Sequence, residues 1–299
     1  MVAKTGHFTN AAAELHVAQP TLSRHIATLE AELGLELFNR ARGNVTLTAA
    51  GETLLPIASR MIADAEHIHF QMQELSGLRR GRVRLGAPPS MCVSVVAEVL
   101  GPYNQHYPGV ELHLRESGSH QLLNELVGGT LDLALVVASE HDPSSAESLE
   151  HVPLLFEELV VISAQEQQFD EYGEELKLSQ LAKLPQIVFS DSYDLRAATM
   201  DAYRHHELSP NVVIEGAEMD AVLRFVERGI GVAVVPATVL LDRPGLASRR
   251  LTQPALTRTI ALAHRKDINL SSAAEAMQAL IIATVEDVAE QSPAIRSLT

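Results

Sequence analysis

Residues 8–51 read FTNAAAELHVAQPTLSRHIATLEAELGLELFNRARGNVTLTAAG, and the rest of the chain is best understood outward from this stretch. The spacing predicts a helix over 10–15 with Thr9 as N-cap, a break at His16, Val17 and Ala18, and a second helix with Pro20 in its first turn, where a missing N–H is harmless. Leu22, Ile26, Leu29 and Leu33 follow at intervals of four, three and four and predict one buried stripe. Gly34 suits the C-cap. Gln19, Thr21, Ser23, Arg24 and Thr28 fall away from the stripe, mostly towards the helix start. These side chains bond to base edges and phosphates and include no reactive group. Phe38-Asn39-Arg40 and Val45-Thr46-Leu47-Thr48 flank the turn signal Gly43-Asn44, which predicts a small hairpin with Arg42 at a basic tip. Two helices and a wing are a means of laying one helix in a major groove. The same periodicity also fits an amphipathic helix pair packed on another element, so the pattern alone leaves both readings open.

The particular string is more specific. F-T-x-A-A-x-x-L-x-V-x-Q-P-x-L-S-R-x-I-x-x-L-E-x-E-L-G-x-x-L-F-x-R, followed by V-x-L-T-x-A-G-E, resembles the LysR-type transcriptional regulators over residues 5–52. The resemblance implies that Gln19, Pro20, Thr21, Ser23 and Arg24 sit on the DNA-facing start of a recognition helix. It also implies that Arg42 makes the wing's minor-groove or phosphate contact. Two departures accompany it. The family has most of a further helix before V-A-x-T-G-x-F-T, so the winged helix-turn-helix domain, 1–48, is expected to carry a truncated first helix. Gly43 stands where a basic residue is frequent.

Length and charge frame the remainder. The chain has 299 residues, room for two or three domains each with its own core. No apolar run approaches a membrane span, and the single cysteine, Cys92, excludes an internal disulfide or a cysteine-rich metal cluster. These features and the missing leader lead us to expect a cytoplasmic protein, with no metal and no membrane partner. The net charge of −15 is distributed unevenly. Residues 1–85 carry nine Lys/Arg against eight Asp/Glu, and residues 86–299 carry fourteen against thirty. The acidic excess therefore lies outside the proposed reader, and a reader this weakly basic is expected to work as a dimer on two half-sites.

The next stretch predicts that dimer. Thr48 can cap a long helix over 49–76, along which Leu54, Ala58, Met61, Ala65, Ile68, Met72 and Leu75 alternate at spacings of four and three, a heptad seam. A helix lying on its own domain's core is the alternative reading. The resemblance implies a linker helix that pairs two winged readers. Residues 77–82 carry glycines and arginines and read as a hinge.

From residue 83 the texture is alternating strand and helix, an α/β arrangement with mostly parallel strands. Strands are predicted at 83–85, 110–115, 131–137, 159–163, 186–189, 212–215, 231–235 and 259–263, with helices at 90–107, 119–127, 178–184, 195–206, 219–228 and 271–289. The two halves are similar in size and order. The resemblance implies a regulatory domain, 83–299, akin to periplasmic binding proteins. Lobe I would take 83–162 and 264–299, lobe II 163–263, and the crossings would fall near Ser163 and His264.

Ligands in such sheets bind at the carboxyl ends of strands, near helix N-termini. Pro88 to Met91, Ser117 to Ser119, Phe189 to Ser192 and Gly216 to Glu218 occupy those places. They offer backbone N–H groups and hydroxyls suited to a small organic anion, although the serines equally suit ordinary helix caps. By resemblance, Ser90 and Ser119 line the first-lobe side of an effector site, and Phe189 and Ser190 the second-lobe side. Met91 and Ala217, in the same stretches, are expected to line the site with them. No cofactor is implied. No G-x-S-x-G string occurs, and Gly229-Ile230-Gly231 follows a helix and lacks the third glycine of a dinucleotide loop. Cys92 beside the cleft invites a redox role, but a lone thiol has no resolving partner in the chain, and a small packed residue is the better reading.

The expectation is an effector-responsive transcriptional regulator and not an enzyme. It would bind promoter double-stranded DNA as a homodimer through the linker helix, assemble as a homotetramer, and signal to RNA polymerase when a small molecule occupies the cleft. The alternative is a solute-binding or metabolite-sensing protein without competent DNA binding.

Overall fold

The computed structural model describes residues 1–41, 44–75, 81–138, 148–164, 169, 172–191 and 193–299. The chain falls into two compact units, Met1–Glu66 and His67–Thr299. In the first, α1 (Val2–Thr5), α2 (Phe8–Glu14) and α3 (Gln19–Leu33) precede an antiparallel hairpin of β1 (Phe38–Ala41) and β2 (Asn44–Leu47). α2 starts at Phe8 with His7 as N-cap, two residues ahead of the expected start, and Thr9 lies inside the helix. Tertiary contact explains the difference. The Phe8 ring meets Phe38 edge-on at 6.0 Å and carries the Arg40 guanidinium 5.4 Å from its centroid. The expected break is a Schellman turn: His16 N–H donates to the Ala13 carbonyl at 3.2 Å, and Val17 N–H to Ala12 at 3.0 Å. His16 takes the left-handed position at φ 53°. Gly34 ends α3 at φ 69°, as its position suggests.

The α3 stripe is only partly a core stripe. Leu22 is buried with Val2, Ala11, Ala12, Leu37 and Phe38, and Ile26 packs at the edge of that cluster. Leu29 and Leu33 remain 38% and 47% exposed, against the expectation of a continuous buried stripe, because the small cluster ends one turn short of them. Glu30, on the same helix, ties the wing down. Its carboxylate accepts the Leu37 and Phe38 N–H groups at 2.9 and 3.4 Å and pairs with Arg40 at 2.6 Å.

α4 (Ala49–Leu75) is capped as expected: Thr48 Oγ1 accepts the Gly51 N–H at 3.1 Å and donates to the Glu36 carbonyl at 2.6 Å. Gly51 is required there, since a Cβ would stand 2.2 Å from the Leu37 carbonyl oxygen. Along the predicted seam Met61, Ile68 and Met72 are 68%, 59% and 55% exposed. Arg42 and Gly43 at the wing tip, most of the hinge and Ser192 lie outside the described residues.

The second unit contains β3 (Gly81–Ala87), α5 (Pro89–Met91), a π-helical turn at Cys92–Val96, α6 (Ala97–His106), β4 (Val110–Glu116), α7 (Ser119–Val127), β5 (Leu133–Val137) and β6 (Leu149–Ser163). β7 (Glu175–Lys177), α8 (Leu178–Leu181), β8 (Pro185–Phe189), α9 (Asp194–His205), β9 (Asn211–Ala217) and α10 (Met219–Glu227) follow. The chain then forms β10 (Ala233–Pro236), β11 (Ala247–Thr252), β12 (Thr257–Arg265), α11 (Ser272–Glu290) and β13 (Ile295–Ser297). The strand path is β4-β3-β5-β12-β6-β11-β7, with β10 and β13 also on β6, and β8 paired to β9.

The sheets are mixed rather than mostly parallel. The βαβ neighbours β3–β4, β3–β5 and β8–β9 are parallel, but β6 and β12 run antiparallel to each other and to most of the strands they meet. Those two long strands build both lobes. Residues 149–155 of β6 pair within the first lobe's sheet, and Leu159 to Ser163 pair with β10 and β11 of the second. Ile260 to Ala263 pair with first-lobe β5. The crossings therefore lie near Glu157 and Arg258, several residues before the expected Ser163 and His264. α11 buries Ala274, Met277, Ile281, Val285 and Val288 against the first lobe, and the buried Tyr103 hydroxyl donates to the Ala273 carbonyl at 2.7 Å.

Candidate functional site

The reader's polar residues gather at the start of α3. Gln19, Pro20 and Arg24 are exposed, and Thr21 and Ser23 are half-buried. Gln19 Nε2 donates to Ser23 Oγ at 2.9 Å, one turn on, which orients two hydrogen-bonding side chains along one edge. Arg42, expected to complete this surface from the wing, is not among the described residues.

The second unit holds a cavity of about 250 Å³ between strand ends and helix starts. Pro88, Pro89 and Ser90 form one wall, and Glu116, Ser117, Gly118 and Gln121 a second. Tyr193, Asp194, Leu195, Glu218, Met219 and Arg258 close it from the other lobe and the crossing. Of the expected effector residues, Ser90 lines this space. It is 3% exposed, and its hydroxyl accepts Arg258 Nη2 at 2.9 Å. Ser119 stands at the edge, fully engaged: its hydroxyl donates to Asp194 Oδ2 at 2.6 Å and accepts the Val137 N–H at 3.0 Å, and its N–H reaches Asp194 at 3.2 Å. Met91, Phe189, Ser190 and Ala217 do not line the cavity. Met91 is fully buried in the core. Phe189 stacks on Tyr193 at 5.2 Å, and Ser190 N–H donates to the Ala217 carbonyl at 3.2 Å, so these residues hold up the wall from behind.

Seven lining residues lie outside the expected stretches: Glu116, Gln121, Tyr193, Asp194, Leu195, Met219 and Arg258; Glu218 falls within one of them. Asp194 begins α9, but its carboxylate caps α7 of the opposite lobe. Tyr193 donates to Glu218 Oε2 at 2.5 Å and accepts the Met219 N–H at 3.2 Å, capping α10. Burial, then the hydrogen bond to Glu218, pushes the Tyr193 phenol up. Glu116 ends β4. Arg258 projects from the crossing, where its Nε and Nη2 reach Glu157 at 2.8 and 2.7 Å. Glu157 has no exposed side-chain surface and also accepts the Thr238 N–H at 3.1 Å. The signal for Asp194 and Glu218 was their place at helix starts. Nothing in the sequence marked Glu116 or Arg258.

Cys92 packs behind this wall, with Sγ 3.7 Å from the Ala87 carbonyl. Burial, and then the Glu116 charge, push its thiol from 9.0 to about 12. That is the opposite of what an oxidation-sensing thiolate needs. Among the described residues no cluster of His, Cys, Asp or Glu is arranged to hold a metal ion, and no helix is long and apolar enough to cross a membrane.

Residues 1–52 match the bacterial regulatory helix-turn-helix protein, lysR family, and residues 76–286 match the LysR substrate binding domain. A probable nitrogen assimilation transcriptional activator of Synechococcus elongatus is 33% identical over 266 residues, covering 87% of this chain and 84% of that protein. A full-length, single-residue variant of OxyR from Pseudomonas aeruginosa superposes with a TM-score of 0.71 at 23% identity, over 97% of this chain and 93% of that one. Full-length CbnR complexed with target DNA gives 0.64 at 22% identity, over 96% of each. Both structures share the fold. The chain belongs to the LysR family of bacterial transcriptional regulators, with an N-terminal DNA-binding helix-turn-helix and a C-terminal effector-binding domain.

Proposed function

We propose that the chain reads an interrupted inverted repeat in promoter DNA with Gln19, Pro20, Thr21, Ser23 and Arg24 in the major groove and Arg42 at the backbone or minor groove. It pairs as a homodimer along α4 and assembles further into a homotetramer. It acts in the cytoplasm, where a small molecule bound in the cleft between the lobes alters DNA bending and contact with RNA polymerase. The residue set at the start of α3 carries this reading: exposed Gln19 and Arg24 with half-buried Thr21 and Ser23 on the first two turns of a helix that Glu30 ties to the wing. The exposed seam of Met61, Ile68 and Met72 supports the pairing, since apolar surface of this extent on one helix face is stabilised by cover. The structure of CbnR was solved with its target DNA, which supports the same use of the fold here.

The test is binding of the full chain to DNA flanking its own gene over a salt series. Site-specific binding should weaken by roughly 0.9 log units per log unit of salt for each phosphate neutralised. Arg24→Ala should lose about 1–3 kcal/mol of base discrimination, as expected of a bidentate base contact. Unchanged discrimination removes Arg24 from that role. Ser119→Trp should abolish the response to effector and spare DNA binding, and loss of DNA binding in a folded Ser119→Trp protein would refute the division of labour between the two units.

A further inference from the structure

We propose that the cleft takes a cation: a small organic ammonium or guanidinium compound, held between the carboxylates of Glu116, Asp194 and Glu218. The inference rests on the reading of the cleft as the effector site and adds the chemistry of what enters it.

Among the described residues, three carboxylates line the cavity against one basic side chain, Arg258. That guanidinium is already neutralised by the buried Glu157. The described side chains of the lining therefore carry a net negative formal charge. Two of the backbone N–H groups that would receive an organic anion are also occupied by the chain itself. The first N–H of α7 and the Ser119 hydroxyl both serve Asp194. The first N–H of α10 serves the Tyr193 hydroxyl. At the start of α7 an anionic ligand would have to displace Asp194, and anywhere in this confined space it would lie among like charges. Asp194 and Glu218 take hydrogen bonds from neutral donors, Ser119 and Tyr193, and no ion pair to any of the three carboxylates is found among the described residues.

The spacing of the carboxylates narrows the cation further. They are not arranged to share one metal ion. An extended ligand whose N–H donors reach separate carboxylates fits instead, with Ser90, Ser117 and Gln121 along the other walls. A cavity of about 150 Å³ holds benzene. A volume of about 250 Å³ therefore has room for a ligand of roughly ten non-hydrogen atoms. Charge-assisted hydrogen bonds to ionised carboxylates supply both orientation and selectivity over neutral analogues.

The experiment is thermal unfolding and calorimetric titration of the full chain, at matched ionic strength, with two panels: 1,4-diaminobutane and agmatine against succinate and benzoate. The amines should raise the melting temperature and the carboxylates should not. Glu116→Gln should weaken amine binding at least about tenfold, the loss expected when a charge-assisted hydrogen bond becomes neutral. Glu218→Gln should act in the same direction, which guards against one variant that fails to fold. Stabilisation by a carboxylate that Ser119→Trp abolishes overturns the cation and leaves the cleft standing as the site. Amine binding that survives Glu116→Gln, Glu218→Gln and Ser119→Trp alike lies outside the cleft and overturns both. No stabilisation by either panel overturns the cation alone.

Discussion

Arg258→Met should be among the most destabilising single changes in the effector-binding domain. Arg258 and Glu157 face each other across the β6–β12 ladder at the crossing between the lobes. Glu157 is fully buried, and its carboxylate accepts Arg258 Nε and Nη2 at 2.8 and 2.7 Å and the Thr238 N–H at 3.1 Å. Methionine fills a similar volume but removes both guanidinium bonds, leaving a buried charge with one backbone donor. Breaking such a pair costs about 3–5 kcal/mol, because the remaining charge is uncompensated. In a domain of this size about 1 kcal/mol moves the melting temperature by 2–4 °C, so a fall of about 6–20 °C is expected. Glu157→Gln in the same chain should recover most of the loss: the amide oxygen still accepts from Thr238, and no charge remains to be buried. Urea unfolding followed by circular dichroism measures both variants, with an unchanged slope expected for each. A cost below about 1 kcal/mol for Arg258→Met, or a double variant no more stable than the single, would refute the argument.

Gly51→Ala should unfold the Met1–Glu66 unit selectively, since its Cβ would sit 2.2 Å from the Leu37 carbonyl and 2.9 Å from Leu47 Cδ2; limited proteolysis with an intact second unit is the expected pattern. His16→Gly should stabilise the same unit by up to about 1 kcal/mol, because glycine adopts the left-handed turn position without the strain of a side chain. Cys92 should react with iodoacetamide at neutral pH at least about tenfold more slowly than an unperturbed thiol, since its pKa is moved from 9.0 to about 12 and the gain in thiolate nucleophilicity offsets only part of the lost thiolate, and Cys92→Ser should keep its regulatory response under peroxide. Cys92 and Tyr203 both hold their protons more tightly when folded, each to about 12. The unfolded chain releases those protons first as pH rises, so stability should decline from about pH 9 upward, and chemical denaturation at pH 8, 10 and 11 measures it.

The helices were legible wherever one amphipathic face does all the packing. α7 and α11 fall within a residue of their expected ends, and α10 within one, because Leu122, Leu126, Met219, Val222 and Val226 alternate at helical spacing. β6 was read only over its last five residues. Pro153 argues against a strand, and it is accommodated here by a bulge at Leu154, where the partner register slips between Ile260 and Ala261. That missed strand displaced both crossings. The exposure of Leu29 and Leu33 was illegible for a different reason: periodicity says which face is apolar and not what covers it. The cavity lies at the expected strand ends, with Ser90 lining it and Ser119 at its edge, but its charge was not legible. Asp194 and Glu218 read locally as helix-start residues. That one crosses to the opposite lobe and the other turns to Tyr193 depends on how the two lobes meet around the shared strands.

The same meeting explains how occupancy of the cleft can become a signal. The groups around the cavity are also the ties between the lobes. Asp194 caps α7 from the far lobe, while Arg258 reaches Ser90 on one side and, through Glu157, the Thr238 backbone on the other. A ligand that draws Asp194 away from Ser119 weakens one tie, and one that leaves Arg258 on Glu157 preserves the second. The lobes would then shift about the crossing rather than separate. A ligand moves an equilibrium only by its unequal affinity for the two states. On the proposed reading that inequality would arise at Asp194, whose carboxylate holds Ser119 across the lobes when no ligand takes it.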